Sequence, residues 1–253
     1  MKKYTIKAGI QMLKYEEYIE WADTDFDDSG SIKSSSLMYA FQEIAAVHAT
    51  NLNLGFDDMI SHNNIWVLSK LRFKVYGEIL KDRRYRLETY PRPKKGITFF
   101  RDYYLYDEDN LISAGTSHWC IINFETRKVE RTKLDFDGEF IDYEPFEGGI
   151  EKIKADNLKE AGTYEVTEDD IDINRHVNNC RYADMVDRAV CGMKYNDFNI
   201  HFAKEAKLGD NIRLYTGKMD DWEVIIGKSD DETTVFQAKV RKIEADEDIN
   251  KRL

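Results

Sequence analysis

Proline is scarce, with three residues in a chain of 253, which leaves little material for the stiff linkers that hold independent modules apart. Long apolar runs are missing too: none approaches 18 residues, so no membrane-spanning helix is expected. The opening stretch MKKYTIKAGIQMLKYEEY lacks the apolar centre of a secretory signal, and a cytoplasmic protein is the expectation. Cys120, Cys180 and Cys191 are odd in number and show no CxxC spacing, which argues against a disulfide framework or a zinc knuckle and for reduced, mostly buried thiols. The five histidines form no HxxxH or HxxEH pair, so no metal site is expected from them. Positive charge is in deficit: the net charge of -11 opposes general binding to nucleic acid or an anionic membrane.

What is present is globular in character. Hydrophobic residues make up 42% and aromatic residues 13%, enough to fill a substantial core. The length suits one large domain or two of about 125 residues. An internal repeat decides between these. Leu37, Phe41, Ile44, Ala45, His48 and Leu52 recur at helical spacing in the first half, and Tyr182, Met185, Val186, Ala189, Val190 and Met193 do so in the second. Runs rich in aromatic and β-branched residues follow each helix: IWVLSKLRFKVYG, RYRLETYPR, GITFFRDYYLY and LISAGTSHWCIINF, then FNIHFAKEAKLGD, NIRLYTGK, WEVIIGK and TTVFQAKVRKIEA. Each half therefore reads as one long helix packed on an antiparallel sheet of about five strands, an α+β arrangement. The expected organisation is an N-terminal unit over 1–125, a charged, weakly periodic connector over 126–158 and a C-terminal unit over 159–253.

Residues 172–186, DINRHVNNCRYADMV, concentrate polar groups just before the second helix. If the chain is extended there, Asp172, Asn174 and His176 point to one side while Ile171 and Ile173 anchor the other. The plainer alternative is that Asp172 or Asn174 caps the helix and His176 is a satisfied turn residue.

With its two repeats and this motif, the chain resembles the acyl-acyl carrier protein thioesterases of the double hotdog type. Their second-half pattern D-x-N-x-H-V-N-N-x-x-Y stands here as Asp172, Asn174, His176, Val177, Asn178, Asn179 and Tyr182, and HFAKEAKLGD supplies Glu205. WVLSKLRFKV at 66–75 resembles a first-half segment, so the likeness spans nearly the whole chain. There is one departure: position 206, where plant members often carry cysteine, is alanine. The resemblance implies a tandem hotdog fold, each half a long helix wrapped by an antiparallel sheet. It also implies hydrolysis of fatty acyl thioesters on acyl carrier protein, with the substrate's own phosphopantetheine and no protein-bound cofactor.

Thioester hydrolysis needs an activated water or a carboxylate nucleophile, a group polarising the carbonyl and donors for the developing oxyanion. Asp172 is expected as nucleophile or water-orienting base, Asn174 and His176 as polarising and positioning groups, and Glu205 as partner base, its pKa raised by an apolar strand. Backbone N–H groups of Val177, Asn178 and Asn179, at the start of the helix, are the expected oxyanion donors. Cys180, four residues from His176, is an alternative nucleophile without an evident orienting group. The first half has Gly30 near the position of His176, which suggests that it binds the acyl chain, with Phe41, Trp66 and Leu68 as tunnel candidates. Asp23, Asp25 and Asp27 imitate a calcium loop, but Asp28 stands at the turn glycine and Ser34 at the final glutamate.

Lys81, Arg83, Arg84, Arg86, Arg92, Lys94 and Lys95 fall within 81–95 beside only two acids, a contrast that is either a solvated strand face or a docking surface for an acidic carrier protein. An acyl-coenzyme A thioesterase, a hotdog dehydratase and a noncatalytic acyl-thioester binding module are the competing readings. Both a monomer and a homodimer are compatible with two hotdog units in one chain.

Overall fold

The computed structural model describes residues 13–131, 140, 144–146, 149–172 and 175–243. The first half contains β1 (Tyr15–Glu20), α1 (Ser34–Asn51), α2 (Phe56–Ser61), β2 (Asn64–Val75), β3 (Arg84–Lys95), β4 (Thr98–Asp107) and β5 (Asn110–Asn123). The second contains β6 (Asp156–Glu165), α3 (Arg181–Val190), β7 (Tyr195–Phe202), β8 (Asn211–Met219), β9 (Trp222–Lys228) and β10 (Thr234–Lys242).

All ten strands join one antiparallel sheet in the order β1-β3-β4-β5-β2-β7-β10-β9-β8-β6. Each half repeats the same internal order, 1-3-4-5-2 against 6-8-9-10-7, with a strand on either side of its principal helix. The halves meet where β2 pairs with β7, from Lys70↔His201 to Lys74↔Asp197. The edge strands β1 and β6 are the ones that hydrophobic patterning left out. YEEYIE is half-buried and heavily acidic, and β6 begins inside the segment read as the connector. The second helix is also shorter than expected, 10 residues against 18 for α1. Cys191 (φ 53°) and Gly192 (φ 81°) take left-handed conformations directly after Val190, which stops it.

The apolar stripe of α1, including Leu37, Phe41 and Ile44, and that of α3, including Met185 and Val186, enter one core cluster with the inward residues of both half-sheets. Phe41 stacks on Tyr103 of β4 with centroids 4.6 Å apart. Opposite it, Gly115 must be glycine, because an added Cβ would lie 2.7 Å from the Phe41 ring.

Candidate active site

Residues 171–172 and 175–177 face each other across a turn. Ile171 bridges Val177, the Asp172 N–H donates to the His176 carbonyl (2.8 Å), and the Arg175 N–H donates to the Asp172 carbonyl (3.0 Å). Arg175 takes a left-handed conformation (φ 62°). The extended segment with alternating side chains is therefore corrected: Asp172 and His176 meet across a turn, and the Asp172 carboxylate accepts the His176 N–H at 3.2 Å. Asn174 lies outside the described residues. The helix-cap alternative for Asp172 also falls away, because the residue before α3 is Cys180.

Glu205 is brought to this hairpin by two backbone hydrogen bonds. The Val177 N–H donates to the Ala206 carbonyl (3.0 Å), and the Ala206 N–H donates to Tyr182 Oη (3.1 Å). Between these ties Glu205 sets Oε2 3.5 Å from His176 Nε2 and pairs through Oε1 with Arg127. β7 ends at Phe202, so Glu205 stands on the loop beyond it with its side chain 44% exposed; the expectation of a strand-borne, buried carboxyl is corrected. Arg127 was missed, since an isolated arginine in the charged 126–158 stretch carries no local signal. Burial pushes the Tyr182 phenol up to about 12, so it serves as a neutral hydroxyl. Tyr182→Phe keeps the ring contacts with Phe202 and Phe236 but leaves the buried Ala206 N–H unpaired. It is expected to cost about 1–3 kcal/mol in urea unfolding.

The oxyanion donors need a second correction. The Val177 N–H is spent on Ala206, and the Asn178 N–H donates to the Asp170 carbonyl at 2.8 Å. The helix begins only at Arg181, four residues later than Val177. Of the three, Asn179 alone keeps an N–H without an acceptor among the described residues, and its side chain reaches Gln42 of α1 (3.4 Å). Cys180 is buried, and that burial pushes its thiol up to about 12, which removes the thiolate a nucleophile needs. Ala206 is likewise buried, a packing position in the core.

Asp172, His176 and Glu205 line one side of a cavity of about 850 Å³, within the range of small-molecule sites. The opposite walls come from the first half: Ala45 and Ala49 on α1, Met59 on α2, and Trp66, Leu68, Phe99 and Trp119 on the sheet. Small residues on the helix face leave the space that large ones elsewhere would fill. Trp66 and Leu68 thus line the cavity as expected, whereas Phe41 is core packing.

The basic cluster is not one free face. Lys81 pairs with Asp23, Arg83 with Asp107, Arg84 with Glu20 and Arg86 with Glu88. Arg92 is buried, held by Asp102 (2.7 Å) and Glu144 (2.6 Å), and so is removed from any docking role. Lys94 and Lys95 lie over the rings of Phe99 and Phe100. The Asp23–Asp27 loop is explained by its own turn: Asp27 Oδ1 accepts the N–H groups of Ser29 (2.8 Å) and Ser31 (2.9 Å).

A tandem hotdog with carboxylate and imidazole side chains gathered at an apolar cavity defines the class of protein. The acyl-ACP thioesterase N-terminal domain matches residues 12–140 and the C-terminal domain of the same family matches 153–251; the chain belongs to the acyl-ACP thioesterase family. Among curated relatives, the chloroplastic oleoyl-acyl carrier protein thioesterase 2 of Arabidopsis thaliana is 25% identical over 56% of this chain and 44% of its own length. The chloroplastic acyl-[acyl-carrier-protein] hydrolase FATB3 of Cuphea viscosissima is 27% identical over 62% of this chain and 41% of its own. The chain spans about half the length of the curated relatives it matches. Among solved structures, an acyl-ACP thioesterase from Bacteroides thetaiotaomicron superposes with a TM-score of 0.80 at 21% identity, covering 90% of this chain and 97% of that one. The 12:0-ACP thioesterase from Umbellularia californica gives 0.75 at 17%, covering 92% and 98%. These likenesses establish the tandem hotdog fold. No helix among the described residues is long and apolar enough to cross a membrane.

Proposed function

We propose that this protein hydrolyses a fatty acyl thioester carried on acyl carrier protein, releasing the free fatty acid and the carrier thiol. The observation that carries the reading is the opening of an 850 Å³ cavity, walled largely by the first half, onto Asp172, His176 and Glu205 of the second. The acyl chain lies in the cavity and the thioester carbonyl sits beside the hairpin. A water held by the carboxylates and the imidazole attacks the carbonyl carbon. One of its protons passes to the base, the C–O bond forms, the C–S bond breaks, and the pantetheine thiolate leaves to be reprotonated. Asp172 and Glu205 share the base role through His176, and Asn174 belongs with them as a polarising group. Asn179 is the backbone donor best suited to the oxyanion. Family membership and the fit of an apolar cavity to an alkyl chain both support this reading.

The test is thiol release from a panel of acyl carrier protein and coenzyme A thioesters of graded length. Release that depends on the carrier supports the proposal. Equal rates on coenzyme A thioesters move the function to an acyl-coenzyme A thioesterase, and binding without release makes the protein an acyl-thioester binding module.

For the carrier, Lys81, Arg83, Arg84, Lys94 and Lys95 are the exposed members of the basic cluster, Arg83 and Arg84 with side chains 51% and 66% exposed. The double variant Arg83→Glu, Arg84→Glu is expected to raise KM for carrier-bound substrate about tenfold at low salt, the lower end of electrostatic steering, and to leave coenzyme A substrates unaffected. An unchanged KM removes this face as the docking surface.

A further inference from the structure

One wall residue of the cavity is out of keeping with a plain hydrocarbon guest. Arg101 lies on β4, on the same face as Tyr103 and Leu105, which pack beneath α1. It lines the cavity three strand steps from β7 (β4-β5-β2-β7), about 14 Å at roughly 4.8 Å per strand. An acyl chain entering beside Glu205 would cross β2 and β5 before meeting it.

A guanidinium carries five N–H donors. In Arg101 Nη1 donates to His48 Nδ1 (3.0 Å) and to Thr89 Oγ1 (3.2 Å), while Nε and Nη2 donate to nothing among the described residues. Burial holds His48 neutral, its pKa lowered to about 4, so it offers a lone pair and no charge. No carboxylate among the described residues pairs with Arg101. The contrast with the neighbouring arginines is direct: Arg92 is paired with Asp102 and Glu144, and Arg72 with Asp197 (2.9 Å). Arg101 is only partly covered, and its two nitrogens without protein acceptors are not among the sealed polar atoms, so they stay open to water or to a guest in the cavity. As a mere post holding α1 to the sheet, Arg101 would need only its Nη1 bonds. Arg101 itself lines the space where the chain would lie.

We propose that Arg101 is a specificity residue selecting acyl chains that carry an acceptor oxygen near their distal end, a carboxylate best of all, over plain hydrocarbon chains. This rests on the acyl-thioester reading of the site. A carboxylate suits the planar fork bidentately and neutralises its charge; a hydroxyl or keto oxygen takes one of the free donors.

Two measurements test this together. The first compares kcat/KM for carrier thioesters of plain, ω-hydroxy and ω-carboxy acyl chains across a series of lengths. At one length the functionalised chains are expected to exceed the plain chain by about 10- to 100-fold, the range for a hydrogen bond to a charged group, and Arg101→Met is expected to reverse the order. The second needs no turnover: the rise in Tm given by free α,ω-dicarboxylic acids is compared with that from the monocarboxylic acids of equal length. The parent is expected to be stabilised more by the diacid, Arg101→Met not, and Arg101→Lys to an intermediate degree. A parent that prefers plain chains at every length and shows no diacid effect overturns the proposal, whether or not Arg101→Met folds. If no thioester is hydrolysed the thioesterase reading fails, and the diacid comparison alone decides the role of Arg101.

Discussion

Asp172→Ala is expected to release thiol from acyl-carrier thioesters about 10²- to 10⁴-fold more slowly than the parent, the usual contribution of a positioned acid–base group. The loss should fall on kcat, because the cavity walls proposed to hold the chain come mostly from α1, α2 and the first-half strands and are untouched. Folding must be checked alongside, since the Asp172 carboxylate also accepts the His176 N–H. Asp172→Asn, which keeps an acceptor oxygen for that bond, separates the two roles: it should restore the hairpin and not the rate. Glu205→Ala is expected to fall in the same range. If both carboxylates act on one water, the double variant will be little worse than the poorer single one. Fully multiplicative losses would instead assign them to separate steps. A kcat within threefold of the parent in Asp172→Ala would remove it from the chemistry.

The second large effect concerns chain length. Ala49→Phe places an aromatic ring into the cavity from α1, where Ala45 and Ala49 are one helical turn apart. Each methylene denied its contacts forfeits about 0.8 kcal/mol, so shutting out four costs about 3 kcal/mol, roughly 10²-fold in kcat/KM. The variant should lose long acyl chains by that factor and retain short ones, shifting the optimum downward. A uniform loss at every length would mean that the helix has been displaced, and an unchanged profile would mean that the chain does not run beneath Ala49.

Much of the architecture was legible in the residues. Helical spacing marked α1 and α3, and the β-branched and aromatic runs after each gave four strands per half, because both periodicities report which side of an element is buried. β1 and β6 escaped since a sheet edge is half solvated, and YEEYIE carries Glu16 and Glu20 on its open face. The site divides similarly. The motif from Asp172 to Tyr182 announced itself by composition, and its tyrosine proved to be the acceptor that holds Ala206 in place. The alternation assumed within it was wrong, because the pairing of Ile171 with Val177 and the left-handed Arg175 make a hairpin where local patterning suggested a strand. The basic run looked like one surface in sequence, yet five of its seven cations found acidic partners, four of them on neighbouring elements.

The sequence by itself determined the two-repeat plan, the family and the polar motif around Asp172 and His176, since periodicity and a dense polar motif are properties of neighbouring residues. Only the tertiary structure decided that Arg127 joins Glu205, that a cavity walled largely by the first half opens on the motif of the second, and that Arg101 lines it without a carboxylate partner among the described residues. The pairing of β2 with β7 brings together residues more than a hundred positions apart, and no local pattern along a chain encodes which distant side chains will share one space.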